Sequence, residues 1–199
     1  MSPLDASYGL WVAWGFSWML ASVWSARTNA RPTSSEQFGH WAITVAGFAL
    51  LFTSVGARMR PNLGEISRQV TLWATPQWLG WVLFTAILAG FVFCWWARLH
   101  LGSLWSLSVA RKEGQRIVRD GPYGLVRHPI YTGLILAAAA LALETGSVVA
   151  MAGAVLVTVG LGRKARLEES FLREELGADA YDGYRREVPM LIPFLKRGD

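Results

Sequence analysis

The chain has a single cysteine, Cys94, and three histidines, His40, His100 and His128, far apart in sequence. A lone thiol excludes an internal disulfide and a cysteine-only metal cage. No His or Cys pair has ligand spacing, so no metal is expected. Charge is scarce as well: 17% of residues are charged against 53% hydrophobic, a balance foreign to a soluble domain. No stretch reads as a convincing strand, so no glycine-rich phosphate loop follows one. No nucleophile elbow singles out a serine for Ser-His-Asp chemistry. Internal repeats and low-complexity tracts are also missing.

What the chain has instead is long uncharged runs. Tyr8–Ala26, Gly39–Ala57 and Gln77–Ala97 are each long enough to span a hydrocarbon core of about 30 Å. The first has no basic stretch before it and reads as a retained membrane helix rather than a cleaved signal. The chain holds 11 tryptophans, and Trp78, Trp81, Trp95 and Trp96 sit near the ends of the third run, as an aromatic belt requires. Residues 62–76 are polar enough for a loop or a short surface helix. Two shorter runs, Ile130–Leu143 and Ser147–Leu161, are joined by Glu144-Thr145-Gly146 and predict an antiparallel hairpin. The expected architecture is an all-α integral membrane protein. It has about five membrane helices, three spans plus a C-terminal hairpin, and a cytosolic amphipathic C-terminal helix. Residues 1–97 hold the first membrane helices and 98–199 the chemically distinctive region, within one structural domain.

A formal charge of +5 raises the possibility of nucleic acid, but the basic residues lie between apolar runs. A positive-inside bias accounts for them better, and no nucleic-acid partner is expected. With three spans and a hairpin, one side receives Arg58, Arg60 and Arg68. The other receives Arg27 and Arg31, six basic residues within 98–127 and eight from Arg163 onward, sixteen of nineteen. That side is the cytoplasm. The 98–127 segment and the C-terminal tail therefore share it, at what reads as an inner or cytoplasmic membrane.

Between these segments stands Gly121-Pro122-Tyr123-Gly124-Leu125-Val126-Arg127-His128-Pro129-Ile130-Tyr131-Thr132-Gly133. Two prolines push their preceding residues away from helical backbone, and three glycines permit tight turns. A turn that merely starts a membrane helix needs one or two of these residues. A Tyr, an Arg, a His and a second Tyr in one rigid loop read as a polar site at the bilayer face. Just before it, Gln115-Arg116-Ile117-Val118 reads as a short extended piece with backbone groups available to a polar ligand. In the tail, Leu167, Phe171, Leu172 and Leu176 form the stripe of an amphipathic helix that stops at Gly177. Lys164 and Glu168 lie one turn apart on one face. The wheel turns Glu168 toward the stripe and leaves Glu169 and Arg173 to water. An inward site role and a solvated ion pair stay equally open for Glu168.

Gly-Pro-Tyr-x-x-x-Arg-His-Pro-x-Tyr-x-Gly at 121–133, two short apolar helices, then Glu168-Glu169, Leu172, Gly177, Tyr181 and Tyr184 resemble the isoprenylcysteine carboxyl methyltransferase family. Membrane phospholipid N-methyltransferases look similar over the same region, roughly residues 98–195. The resemblance implies S-adenosylmethionine as methyl donor and a lipophilic small molecule or lipid as acceptor, met at the bilayer. It implies that the Gln115, Arg116, Ile117 and Val118 backbone touches the cofactor. Tyr123, His128, Pro129 and Tyr131 enclose it, and Glu168 holds its polar end. The basic residue four before the glutamate, usually arginine, meets the acceptor. Here it is Lys164, which lacks arginine's bidentate fork, so Arg166 takes over or the acceptor is not a typical carboxylate. Arg127 completes the candidate catalytic cations. Carboxyl O-methylation ranks first; amine N-methylation and a sterol-reductase-like nicotinamide reduction are the alternatives.

Overall fold

A computed structural model describes residues 1–24, 27–30, 34–53, 71–106, 109, 111–114 and 116–195. Among them run six helices: α1 (Pro3–Ala21), α2 (Ser34–Leu51), α3 (Gln77–Leu101), α4 (Pro129–Thr145), α5 (Val148–Leu176) and α6 (Ala178–Glu187). Short 3-10 turns occupy Gly102–Leu104 and Gly121–Gly124, and β1 (Thr28–Ala30) pairs antiparallel with β2 (Arg111–Lys112). That small pairing is a strand the sequence did not announce; the rest is all-α.

Local chemistry moves the first expected boundary. α1 starts at Pro3 rather than Tyr8, because Ser2 and Asp5 cap each other's backbone N–H in a capping box. It stops at Ala21 rather than Ala26. The buried Arg98 guanidinium, from the end of α3, donates to Ala21 O at 2.9 Å and to Trp24 O at 2.5 Å. Trp24 and Trp105 cover its two faces at 4.9 and 4.8 Å. α3 begins at Gln77 as expected, whereas residues 54–70 lie outside the described residues, and with them the end of the second run and most of the 62–76 segment.

The hairpin is present, but its second arm differs. Gly146, at φ 63°, ends α4 in the left-handed region that glycine tolerates. Ser147 caps α5 through Ala150 N–H. α5 then continues for 29 residues to Leu176, so the apolar arm and the charged tail are one helix. No proline stands between Leu161 and Leu176, and the Glu, Lys and Arg residues there are good helix formers that outweigh the single Gly162. The turn at Gly177 falls where the sequence puts it.

α2 packs on α5 and α3 on α4. Glycines set both crossings. A Cβ on Gly90 would lie 2.6 Å from Gly133 O, and one on Gly153 would lie 2.5 Å from Leu51 N. Small residues let backbones approach where lipid supplies no hydrophobic drive. Gly153→Val is expected to lower the thermal unfolding midpoint in detergent, by overpacking that costs roughly 1–3 kcal/mol. An unchanged midpoint would mean the crossing has slack.

The exterior is apolar too: Val12 is 73% exposed, Phe16 64%, Val92 61% and Val155 61%. Helices apolar all round are membrane spans or deep cores, and exposed rings and branches favour the former. Gln77–Leu104 and Val148–Leu176 are long and apolar enough to cross a bilayer; Gln37–Leu51 and Pro129–Thr145 are shorter apolar helices.

Candidate active site

The 121–133 loop is a folded lead-in to α4. Pro122 O accepts from Leu125 and Val126 N–H. Gly121 sits at φ 57° with the His100 ring where a side chain would project. Further hydrogen bonds hold the loop from outside. Arg127 N–H donates to Pro189 O at 2.9 Å and His128 N–H to Met190 O at 3.1 Å. Thr132 Oγ1 donates to Leu191 O at 2.7 Å. The segment after α6 is thus strapped across the start of α4. Tyr184 of α6 completes the closure, its hydroxyl donating to Tyr123 O at 2.7 Å.

Inside the strap, α5 presents two adjacent carboxylates. Arg127 Nε donates to Glu169 Oε1 at 2.7 Å, and His128 Nε2 lies 3.1 Å from the same oxygen. His128 Nδ1 faces Glu168 Oε2 at 3.5 Å. Tyr131 Oη donates to Glu168 Oε1 at 2.6 Å, and its ring stacks on His128 with a 4° interplanar angle. Lys164 Nζ stands 3.9 Å from Glu168 Oε1, over the Tyr131 and Trp41 rings at 5.2 and 5.9 Å.

All of these groups except Glu169 line a cavity of about 350 Å³, a size usual for small-molecule sites. Of the residues expected from sequence, Arg116, Ile117, Val118, Tyr123, Arg127, His128, Tyr131, Lys164 and Glu168 line it. Pro129 is buried at the first position of α4 and does not. Arg166 is exposed and off the cavity, so it is not brought to Lys164's side. Gln115 lies outside the described residues. Ile117 and Val118 are neither helix nor strand, and among the described residues no backbone–backbone hydrogen bond engages them.

Glu169 corrects the sequence reading. Expected in water, it is 6% exposed and holds Arg127 and His128 together. The wheel followed one apolar stripe, whereas the loop and strap cover a second face of α5. The signal lay in the row Leu161, Ala165, Glu169, three buried residues at four-residue spacing. Arg173, by contrast, is exposed and pairs with Asp182. The sequence places acceptor specificity within Tyr8–Ala57 and Trp78–Trp96 but holds no pattern that marks the wall residues; Trp14, Trp18, Trp41, Thr44 and Phe48 line the cavity.

His128 carries the clearest electrostatic signature of the loop. Burial favours its neutral ring, but hydrogen bonds to Glu168 and Glu169 and their charges outweigh burial and raise its pKa above the ordinary 6.5. A raised folded value means that the ring's charged contacts stabilise the fold fully below the unfolded pKa. This contribution is lost as pH rises through the folded pKa. Imidazole NMR is expected to find a midpoint above 6.5 that falls in Glu169→Gln. A midpoint at or below the ordinary value would remove the imidazolium from this account.

Known proteins match this same region. Residues 81–174 match the model of the isoprenylcysteine carboxyl methyltransferase (ICMT) family. The chain is 30% identical over 90 residues to protein-S-isoprenylcysteine O-methyltransferase B of Arabidopsis thaliana, covering 45% of each chain. It is 30% identical over 102 residues to protein-S-isoprenylcysteine O-methyltransferase of Schizosaccharomyces pombe, covering 50% of this chain and 43% of that one. The uncharacterized protein YpbQ of Bacillus subtilis is 28% identical over 116 residues, 56% of this chain and 63% of its own. The chain thus spans about half the length of the two methyltransferases it matches.

Proposed function

We propose that this chain, which carries an isoprenylcysteine carboxyl methyltransferase family region over residues 81–174, is an integral-membrane methyltransferase that uses S-adenosylmethionine. Its acceptor is lipophilic and its site faces the cytoplasm. The observation that carries the reading is one cavity with two ends. At one end Glu168, Lys164 and His128 converge; at the other, aromatic and aliphatic walls continue toward the apolar interior of the bundle.

The residues present fit the donor. Glu168 offers a carboxylate to an ammonium, Ile117 and Val118 have backbone groups with no backbone–backbone hydrogen bond among the described residues, and the Tyr123 ring lines the same cavity. S-adenosylmethionine supplies a methyl group on a sulfonium, an electrophile that needs an aligned nucleophile rather than a strong base. The protein's part is therefore alignment and exclusion of water. Tyr131 and His128 fix the orientation of Glu168, and Glu169 and Arg127 fix that of His128. Tyr181 and Tyr184 of α6 line the same cavity, and the strap ties α6 to the loop.

Lys164 favours an anionic acceptor. It is the cation on the apolar side of Glu168, and Arg166 stands off the cavity. A carboxylate is already nucleophilic, and a cationic wall attracts it. An amine must first lose a proton, which a neighbouring cation does not promote. This supports carboxyl O-methylation of an isoprenylcysteine-like acceptor over phospholipid or small-amine N-methylation. The order of spans expected from the sequence, which puts sixteen of nineteen basic residues on one side, supports a cytosolic site in an inner or cytoplasmic membrane.

The test is transfer of labelled methyl from S-adenosylmethionine into a native lipid extract, with the product identified. Calorimetry with S-adenosylmethionine and with a reduced nicotinamide dinucleotide accompanies it. Labelled carboxyl ester together with donor binding is the expected result. Nicotinamide binding without S-adenosylmethionine binding would turn the reading to a membrane reductase.

A further inference from the structure

The lining changes from polar to apolar along two elements, from His128 at the start of α4 to Leu134 and from Glu168 to Leu161 on α5, while α2 lines it from Trp41 to Phe48. Seven residues at 1.5 Å rise make an arm about 10 Å deep on α5 and on α2. Trp14 and Trp18 of α1 stand on its fourth side.

Rings from α1 and α2 close its far end. Trp11 lies edge-on to Phe48 at 5.9 Å and to Phe52 at 5.3 Å, and Tyr8 lies 6.1 Å from Phe52. Trp11 also meets Trp14 at 6.1 Å and Phe91 of α3 at 4.7 Å. It is thus the hub joining the last lining rings, Trp14 and Phe48, to the core behind them. It is 6% exposed, and its Nε1 has no hydrogen-bond partner among the described residues. A buried N–H left unpaired is unfavourable. What the indole contributes here is bulk, enough to touch α2, α3 and its own helix at once.

The geometry points to Trp11 as the stop that limits the length of the apolar chain an acceptor can carry. The chain lies in the arm between α1 and α2, its head beside Lys164 and its far end against Phe48 and Trp14, the two rings that Trp11 backs and holds in place. The nature of the head rests on the methyltransferase reading; the arm does not. Both walls of the stop, α1 and α2, precede the family region at 81–174. Chain-length selection is then a property this protein adds outside that region.

The experiment measures binding of a homologous series of S-alkyl-N-acetylcysteines to the full chain in nanodiscs, without methyl donor. In the unmodified protein, affinity is expected to rise about fourfold per added methylene and then to stop rising at one length. Trp11→Leu should move that break to longer chains, with a gain of about tenfold two methylenes past it. Leu161→Phe, which adds bulk to the lining, should move it to shorter ones. The second variant keeps the test valid if the core substitution lowers the yield of folded protein. A break at the same length in all three proteins would overturn the stop. Methyl transfer assayed on the same series separates the two readings. Shifted breaks with no transfer to any acceptor would leave the stop standing and sink the methyltransferase. Transfer with an unmoved break would do the reverse.

Discussion

Arg127→Ala is expected to lower the unfolding midpoint and abolish methyl transfer together, the largest effect of any single change in the loop. The Arg127 and Glu169 side chains are 8% and 7% exposed, and their contact is 2.7 Å. Nη1 also donates to Arg185 O at 3.1 Å and Val188 O at 2.5 Å, carbonyls at the end of α6. One guanidinium therefore holds the loop, α5 and the strap. Breaking a buried pair from one side costs roughly 3–5 kcal/mol, because the remaining charge stays desolvated. Here His128 and Arg185 are left to face Glu169, and Arg185 only at 3.5 Å and 40% exposed. The pair itself is not expected to be the source of that stability. Arg127→Met combined with Glu169→Leu removes both charges and should recover much of the midpoint. Activity should stay lost, since His128 would have no carboxylate at Nε2 and the end of α6 would lose its guanidinium contacts, although the backbone bonds to the strap remain. Thermal unfolding and methyl transfer of the two single variants and the double variant form the measurement. A double variant as unstable as Arg127→Ala would show that packing, not desolvated charge, sets the loss.

Glu168→Gln is expected to weaken S-adenosylmethionine binding about ten- to hundred-fold. The substitution keeps the shape and removes the charge. Hydrogen bonds to charged groups contribute roughly 1.5–3 kcal/mol, which gives that range. Tyr131 can still donate to the amide oxygen at the Oε1 position, so the fold should persist. Lys164→Ala should act on the other substrate. Its ammonium stands 3.9 Å from Glu168 and over two aromatic faces, on the apolar side of the carboxylate. Its loss should raise the acceptor's KM or lower kcat with donor affinity nearly intact. A solvated helical ion pair would be worth about 0.3–0.5 kcal/mol, and both changes would then be small and alike. Steady-state kinetics with each substrate varied in turn, plus direct donor binding, distinguishes the outcomes. Equal small effects would leave the cavity without its polar anchor.

Several features of this protein were determined by the sequence alone. Uncharged runs, scarce charge and tryptophans at run ends are properties of composition, and they dictate helices with apolar exteriors wherever those helices pack. Gly146 and Gly177 stop helices by local backbone preference, and both stops stand where the sequence puts them. The loop at 121–133 was legible because its prolines, glycines and polar side chains serve no purpose in a plain helix start. Tertiary structure decided what no local rule contains. The start of α1 depended on a capping box, which is local and was readable; its end depended on Arg98, 77 residues away from Ala21. The burial of Glu169 arose because a strap from residues 189–191 covers a face of α5 that periodicity assigns to water. Helical periodicity identifies one buried face, and a second appears only when a distant segment folds over it. The cavity's apolar arm likewise joins rings of α1 and α2 to side chains of α4 and α5. Side chains more than a hundred positions apart in sequence, such as Trp14 and Leu134, line one cavity only because the helices pack around it, with glycine crossings bringing α3 to α4 and α2 to α5.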